Sequence, residues 1–117
     1  MGYMAEYGEW NKKGATLSDK TAKTEYGVDR DFIIKGIESG KLEYRQGAVW
    51  DNPYIRILRR QLEDFIAEEM GNDYLSKVKS ETELKSINKE IKNIESNLVL
   101  LKERKAQLEI ILNKRRP

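Results

Sequence analysis

Apolar positions follow different rhythms along this chain, and the clearest lies near its end. Leu and Ile recur at alternating steps of three and four through Leu84, Ile87, Ile91, Ile94, Leu98, Leu101, Leu108 and Leu112, with Lys105 at the one remaining step. The stripe is narrow and the rest of the segment is rich in Lys, Glu and Asn, so the helix cannot bury it against itself. A second copy of the same helix is the simplest cover. The spacing predicts a coiled coil with a at Leu84, Ile91, Leu98, Lys105 and Leu112 and d at Ile87, Ile94, Leu101 and Leu108. Val99, Leu100, Ile110 and Ile111 lie off that seam, which leaves a wider bundle open. Upstream, Ser80-Glu81-Thr82-Glu83 fits a capping box, so a fresh helix start there or a hinge near Val78 is expected.

Charges weigh the orientation of the pair. In a parallel pair Lys105 faces its own copy and Glu90 faces Glu95, and only Arg104 with Glu109 gains. In an antiparallel pair centred between Leu98 and Leu101, Lys105 meets Ile94, Glu95 approaches Lys102, and Glu90 reaches Arg104. Such surface pairs contribute only about 0.2–1 kcal/mol each. Their signs all favour an antiparallel homodimer.

Before residue 72 the rhythm is that of short elements. Ser18 is placed to cap a helix over 19–25 with Ala22 inward. Tyr26-Gly27-Val28 then makes a tight corner, with Gly27 at positive φ and Val28 plugging it. Asp29 caps a second helix that runs to 39, with Phe32, Ile33 and Ile37 on one side and Gly40 as its stop. Gly36 inside that helix costs about 1 kcal/mol relative to Ala, which suggests a close approach of the first helix. Two helices joined this tightly cross steeply, as in a helix-turn-helix.

The period then shortens. Leu42 and Tyr44, then Tyr54, Ile55, Ile57 and Leu58, form two β-compatible runs around a turn region at 46–53. That is a hairpin of the kind called a wing. A third helix is expected over 60–70, with Leu62, Phe65 and Ile66 inward and Gly71 at its end. The predicted fold is mostly α: a small winged helix-turn-helix domain of three helices and a β-hairpin, followed by a long coiled-coil helix. The expected division is an N-terminal arm at 1–15, the winged domain at 16–71 and the dimerisation helix at 72–117.

Leu17-Ser18, Ala22, Gly27-Val28, Ile33, Ile37, Gly40-Lys41-Leu42, Tyr44-Arg45, Ile55-Arg56-Ile57 and Leu62-Glu63 together resemble the winged helix-turn-helix domain of phage excisionases and MerR-type regulators. The resemblance covers roughly half the chain, and its most specific part is the Gly-Val corner followed by Gly40 and the hairpin. It implies DNA binding, with the second helix in the major groove and the hairpin against the backbone or minor groove. MerR-type proteins also pair through an antiparallel C-terminal helix.

Composition bounds the chemistry. The chain has no His and no Cys, which excludes imidazole bases, cysteine nucleophiles, Cys/His zinc sites and a disulfide frame. Ser76 with Lys79 and Ser86 with Lys89 repeat a Ser-x-x-Lys spacing, but on the long helix nothing desolvates the lysine, so no enzyme is expected. No cofactor, metal or small-molecule effector is expected either. No apolar run approaches a membrane span and residues 1–10 lack the apolar core of a signal peptide, so a cytoplasmic location is expected.

Charge complicates the DNA expectation. Residues 1–71 hold 11 Lys and Arg against 13 Asp and Glu, a net of −2, while residues 72–117 hold 11 against 7, a net of +4. A domain that grips phosphate is usually basic. A basic face survives if the acidic residues Glu63, Asp64, Glu68 and Glu69 gather elsewhere. The candidate DNA contacts are Lys20, Lys23, Arg30, Lys35, Lys41, Arg45 and Arg56, with Trp50 at the wing tip either entering a groove or packing under the hairpin.

Two functions follow. One is a dimeric, sequence-specific DNA-binding protein: a small transcriptional regulator, an excisionase-like factor or a phage terminase small subunit. The other is a protein-interaction module with a winged fold that no longer binds DNA and a coil that recruits a partner. The near-neutral second helix and the wing tip without Lys or Arg favour the second. RNA binding by aromatic stacking has less support, since no aromatic-studded sheet is evident.

Overall fold

A computed structural model describes residues 8–114. A short 3-10 turn at Glu9–Asn11 leads into β1 (Thr16–Ser18), α1 (Asp19–Tyr26) and α2 (Arg30–Glu38). The wing strands β2 (Tyr44–Val49) and β3 (Asn52–Leu58) follow, then α3 (Arg59–Met70) and α4 (Asn72–Lys114).

Local chemistry sets the helix ends. The Ser18 hydroxyl accepts from the Thr21 amide at 3.1 Å, and the Asp29 carboxylate accepts from the Phe32 amide at 2.9 Å. Each satisfies an amide that the first helical turn leaves without a partner. Gly27 ends α1 at φ 72, and a Cβ there would come within 2.8 Å of the Tyr74 hydroxyl. The corner therefore needs glycine twice over, for its backbone and for the side chain crossing it.

The sheet is larger than the expected hairpin. It has three antiparallel strands in the order β1-β3-β2, with Leu17 opposite Ile57 and Tyr44 opposite Ile57 on the other side. Past the end of β1, the Asp19 carboxylate accepts from the Ile55 amide at 3.1 Å and continues the ladder with a side chain. The turn is also tighter than the expected 46–53 region. The strands run on until only Trp50 and Asp51 connect them, at φ 52 and φ 66. Positive φ at both positions marks the turn whose twist suits a two-residue hairpin. Gly47, which suggested a turn, instead lies opposite Tyr54 within the ladder, where a Cβ would run into the Tyr54 ring.

Ala22, Tyr26, Val28, Ile33, Leu42, Ile55, Ile57, Leu62, Phe65 and Ile66 are buried in one core with Leu17. Gly36 serves a different neighbour from the one expected. A Cβ there would meet Leu42 at 2.6 Å and Phe65 at 2.9 Å, so it admits the β2 approach and α3 rather than α1.

The chain divides into two compact units, the first ending at Thr82 and the second beginning at Glu83. The opening turns of α4 thus belong to the winged unit. Tyr74, Leu75 and Val78 pack on its core, the Tyr74 hydroxyl donates to the Tyr26 carbonyl at 2.7 Å, and Thr82 donates to the Glu25 carbonyl at 2.7 Å. These bonds satisfy carbonyls that the end of α1 leaves open. They also account for the capping-box residues. Thr82 is drawn to α1, and α4 passes through 80–83 without the expected restart.

Tyr26 anchors the same junction from below. Its hydroxyl donates to Glu63 at 2.5 Å and accepts from Arg59 at 2.8 Å, while Arg59 also pairs with Glu25 at 2.8 Å. Burial, with the Glu63 bond adding to it, pushes the Tyr26 pKa up to about 12 from its ordinary 10.0. The unfolded chain therefore releases this proton at lower pH than the folded one. Its contribution is fully present below pH 10 and is lost as pH rises towards 12. Urea titrations across that window are expected to show wild-type stability falling more steeply than that of Tyr26→Phe; parallel curves would remove the tyrosine from the account.

The second unit is helix as far as Lys114. Its seam aliphatics are exposed, from 42% at Leu108 to 67% at Leu101, and Lys105 reaches Glu109 one turn on at 3.9 Å.

Candidate nucleic-acid interface

The seven candidate cations separate by what they touch. Lys35 pairs with Glu69 at 3.4 Å and Lys41 with Glu68 at 3.3 Å, so both reach to α3. Arg45 and Arg56 are opposite one another on β2 and β3. Like charges so placed repel, and Trp10 relieves them. The Arg45 guanidinium lies 4.5 Å from the centre of the Trp10 ring, while Arg56 donates to the Trp10 carbonyl at 3.2 Å and to the Thr16 hydroxyl at 3.0 Å. A stacked, bonded guanidinium has fewer donors left for phosphate.

Lys20, Lys23 and Arg30 remain. They are exposed and make no ion pair among the described residues. The tight corner between α1 and α2 brings them to one shallow depression, shared with Asp19, Asp29 and Asp31. Two of those carboxylates are already occupied: Asp19 holds the Ile55 amide and Asp29 the Phe32 amide. Lys20 also lines an adjoining groove with Ser18, Trp50, Asn52 and Tyr54, which contains no acid. One surface therefore runs from the wing tip across α1 to the start of α2. Trp50 stands at its edge, 93% exposed, and does not pack under the hairpin.

The arm side carries contacts that the sequence did not announce. Glu9 pairs with Arg60 at 2.9 Å, and Arg59 donates to the Gly14 carbonyl at 3.0 Å. The bond from Arg60 holds the Glu9 carboxyl below its ordinary range. Trp10 had one available signal, as the one tryptophan in a polar stretch preceding the first strand. Ser76 and Lys79 lie on α4, with Lys79 paired to Glu63 at 3.3 Å; Ser86 and Lys89 lie further along the same helix. Among the described residues no His/Cys/Asp/Glu cluster suits a metal ion, and no helix is long and apolar enough to cross a membrane. No family model matches the chain, and no curated protein or solved structure does.

Proposed function

We propose that this protein binds duplex DNA as a homodimer and is not an enzyme. In this reading the α4 seam joins two winged heads, antiparallel as the charge pattern favours, and each head meets DNA through Lys20, Lys23, Arg30 and the wing. The observation that carries it is the set of three cations without internal partners, on a surface continuous with an exposed wing-tip aromatic. Such cations lose little on meeting phosphate and gain by releasing its counterions. In winged and helix-turn-helix proteins the second helix enters the major groove, and Arg30 opens that helix here. A small regulator, an excisionase-like factor and a terminase small subunit all accord with this arrangement.

Binding of purified protein to mixed-sequence duplex, followed by fluorescence anisotropy at several salt concentrations, tests it. Three phosphate contacts per head give a log–log salt slope of about −2.7 per head. Lys20→Glu combined with Lys23→Glu and Arg30→Glu is expected to remove binding with helicity unchanged. Absence of salt-dependent binding by the wild type at about 50 mM salt rejects the DNA reading. The interaction-module reading then stands. It is favoured by Trp50, whose exposure beside Tyr54 and Lys20 also suits a protein surface.

A further inference from the structure

The sheet has a second face, and it is more aromatic than the sequence suggested. Leu17, Ile55 and Ile57 belong to the core. Side chains alternate along a strand, so Ser18, Asn52, Tyr54 and Arg56 share the opposite face, with Gly47 paired to Tyr54. Because a Cβ at Gly47 would run into the Tyr54 ring, the glycine lets that ring lie across β2 over bare backbone. Trp50 flanks the same face from the turn. It is 93% exposed and holds φ 52, a conformation that glycine and asparagine take readily and a bulky residue does not. Backbone strain kept for a side chain so exposed points to a use outside the fold.

Trp50 and Tyr54 line a groove of about 320 Å³ together with Ser18, Lys20 and Asn52. That is the small end of the range for ligand sites, about 300–1,000 Å³, and gives room for one planar group. Its walls combine two aromatic rings, an amide, a hydroxyl and one cation, and no carboxylate lines it. Of the nearby acids, Asp19 is engaged with the Ile55 amide and Asp51 stands in the turn beyond Trp50. A nucleotide matches each part. Its base stacks on a ring, Asn52 and Ser18 meet the base edge, and Lys20 meets the phosphate. A protein partner has to assemble a planar group and an anion from two residues; a nucleotide carries both.

We propose that this outer face of the wing binds an unpaired base of single-stranded DNA. A base inside a duplex has both faces stacked on its neighbours, so the site takes only a base that is out of the helix. It goes beyond the duplex contact proposed above and shares Lys20 and the wing with it. Oligothymidylate of about 10 nucleotides, within the site sizes of about 4–16 typical of such grooves, tests it on the full chain. In Trp10→Phe, which leaves Trp50 as the one indole, the oligonucleotide is expected to quench tryptophan fluorescence. Trp50→Ala is expected to weaken binding of the labelled oligonucleotide about 5- to 150-fold, and Trp50→Phe, which keeps a ring, by less. Circular dichroism checks that each variant is folded. No quenching at about 50 mM salt overturns the proposal, whether or not the paired duplex binds, and leaves the groove to a protein partner. Binding that Trp50→Ala does not weaken overturns it as well. Single-strand binding lost in Trp50→Ala, without duplex binding by the wild type, supports this site and rejects the duplex reading instead.

Discussion

Leu98→Asp together with Leu101→Asp is expected to leave single chains at concentrations where the wild type is associated. In the proposed antiparallel pair Leu98 of one helix would pack against Leu101 of the other, so the double substitution removes four adjacent leucines from the centre. Burying a leucine contributes about 1.5–3 kcal/mol, so four of them account for roughly 6–12 kcal/mol of association. The lower figure alone weakens pairing more than ten-thousand-fold at about 1.4 kcal/mol per decade. Four carboxylates brought together add repulsion and desolvation to that loss. The winged unit is untouched, since its boundary lies at Thr82 and its core is closed without residues 83–114. On the proposed DNA reading each head then binds alone, and affinity is expected to fall by the effective-concentration factor of about 10²–10⁴ that joining two heads confers. Light scattering and anisotropy on one preparation check both steps. An associated double variant would show that the ridge is not the joining surface.

Much of the winged unit was readable because its signals are local. Ser18 and Asp29 cap the helices they precede, Gly27 turns the corner, and Ala22, Val28, Ile33, Leu62, Phe65 and Ile66 are buried where the periods placed them. Each of those inferences needs only a few neighbouring residues. What escaped depends on partners far along the chain. β1 is three residues with one apolar side chain, too short to show alternation, and it exists because β3 offers an edge. The capping box at 80–83 was a sound local signal that lost to a distant carbonyl, Glu25, reaching Thr82 across 57 positions.

The candidate site was legible in the same uneven way. All seven cations were visible in the sequence, but not their internal partners. Lys35 and Lys41 point to acids on α3, and Arg45 and Arg56 are held by Trp10, in a segment that the sequence offered only as an arm. The slight acidity of residues 1–71 is a sum, and it does not say which charges pair with one another within the fold. Local availability separates Lys20, Lys23 and Arg30 from the rest. It could be judged only with the fold in hand.

Gly36→Val is expected to destabilise the winged unit by about 1–3 kcal/mol, the usual effect of overpacking a closed core. Two effects of opposite sign meet at this position. Replacing a mid-helix glycine removes a propensity penalty of about 1 kcal/mol relative to alanine, and valine recovers only part of it. Against this, the first added carbon already falls within 2.6 Å of Leu42 and 2.9 Å of Phe65. Neither neighbour can yield, as Leu42 is 4% and Phe65 2% exposed, and the Phe65 ring is held against Phe32 at 4.7 Å between centroids. The γ-methyls of valine extend into the same contact. Packing therefore exceeds propensity, and the sign is destabilising despite a better helix former. Urea unfolding monitored by tryptophan fluorescence gives the midpoint shift, with Phe65→Leu in the Gly36→Val background as the relief test. Partial recovery in that pair identifies steric crowding at Phe65, and an unchanged midpoint in Gly36→Val alone would show that α2 can move away from its neighbours.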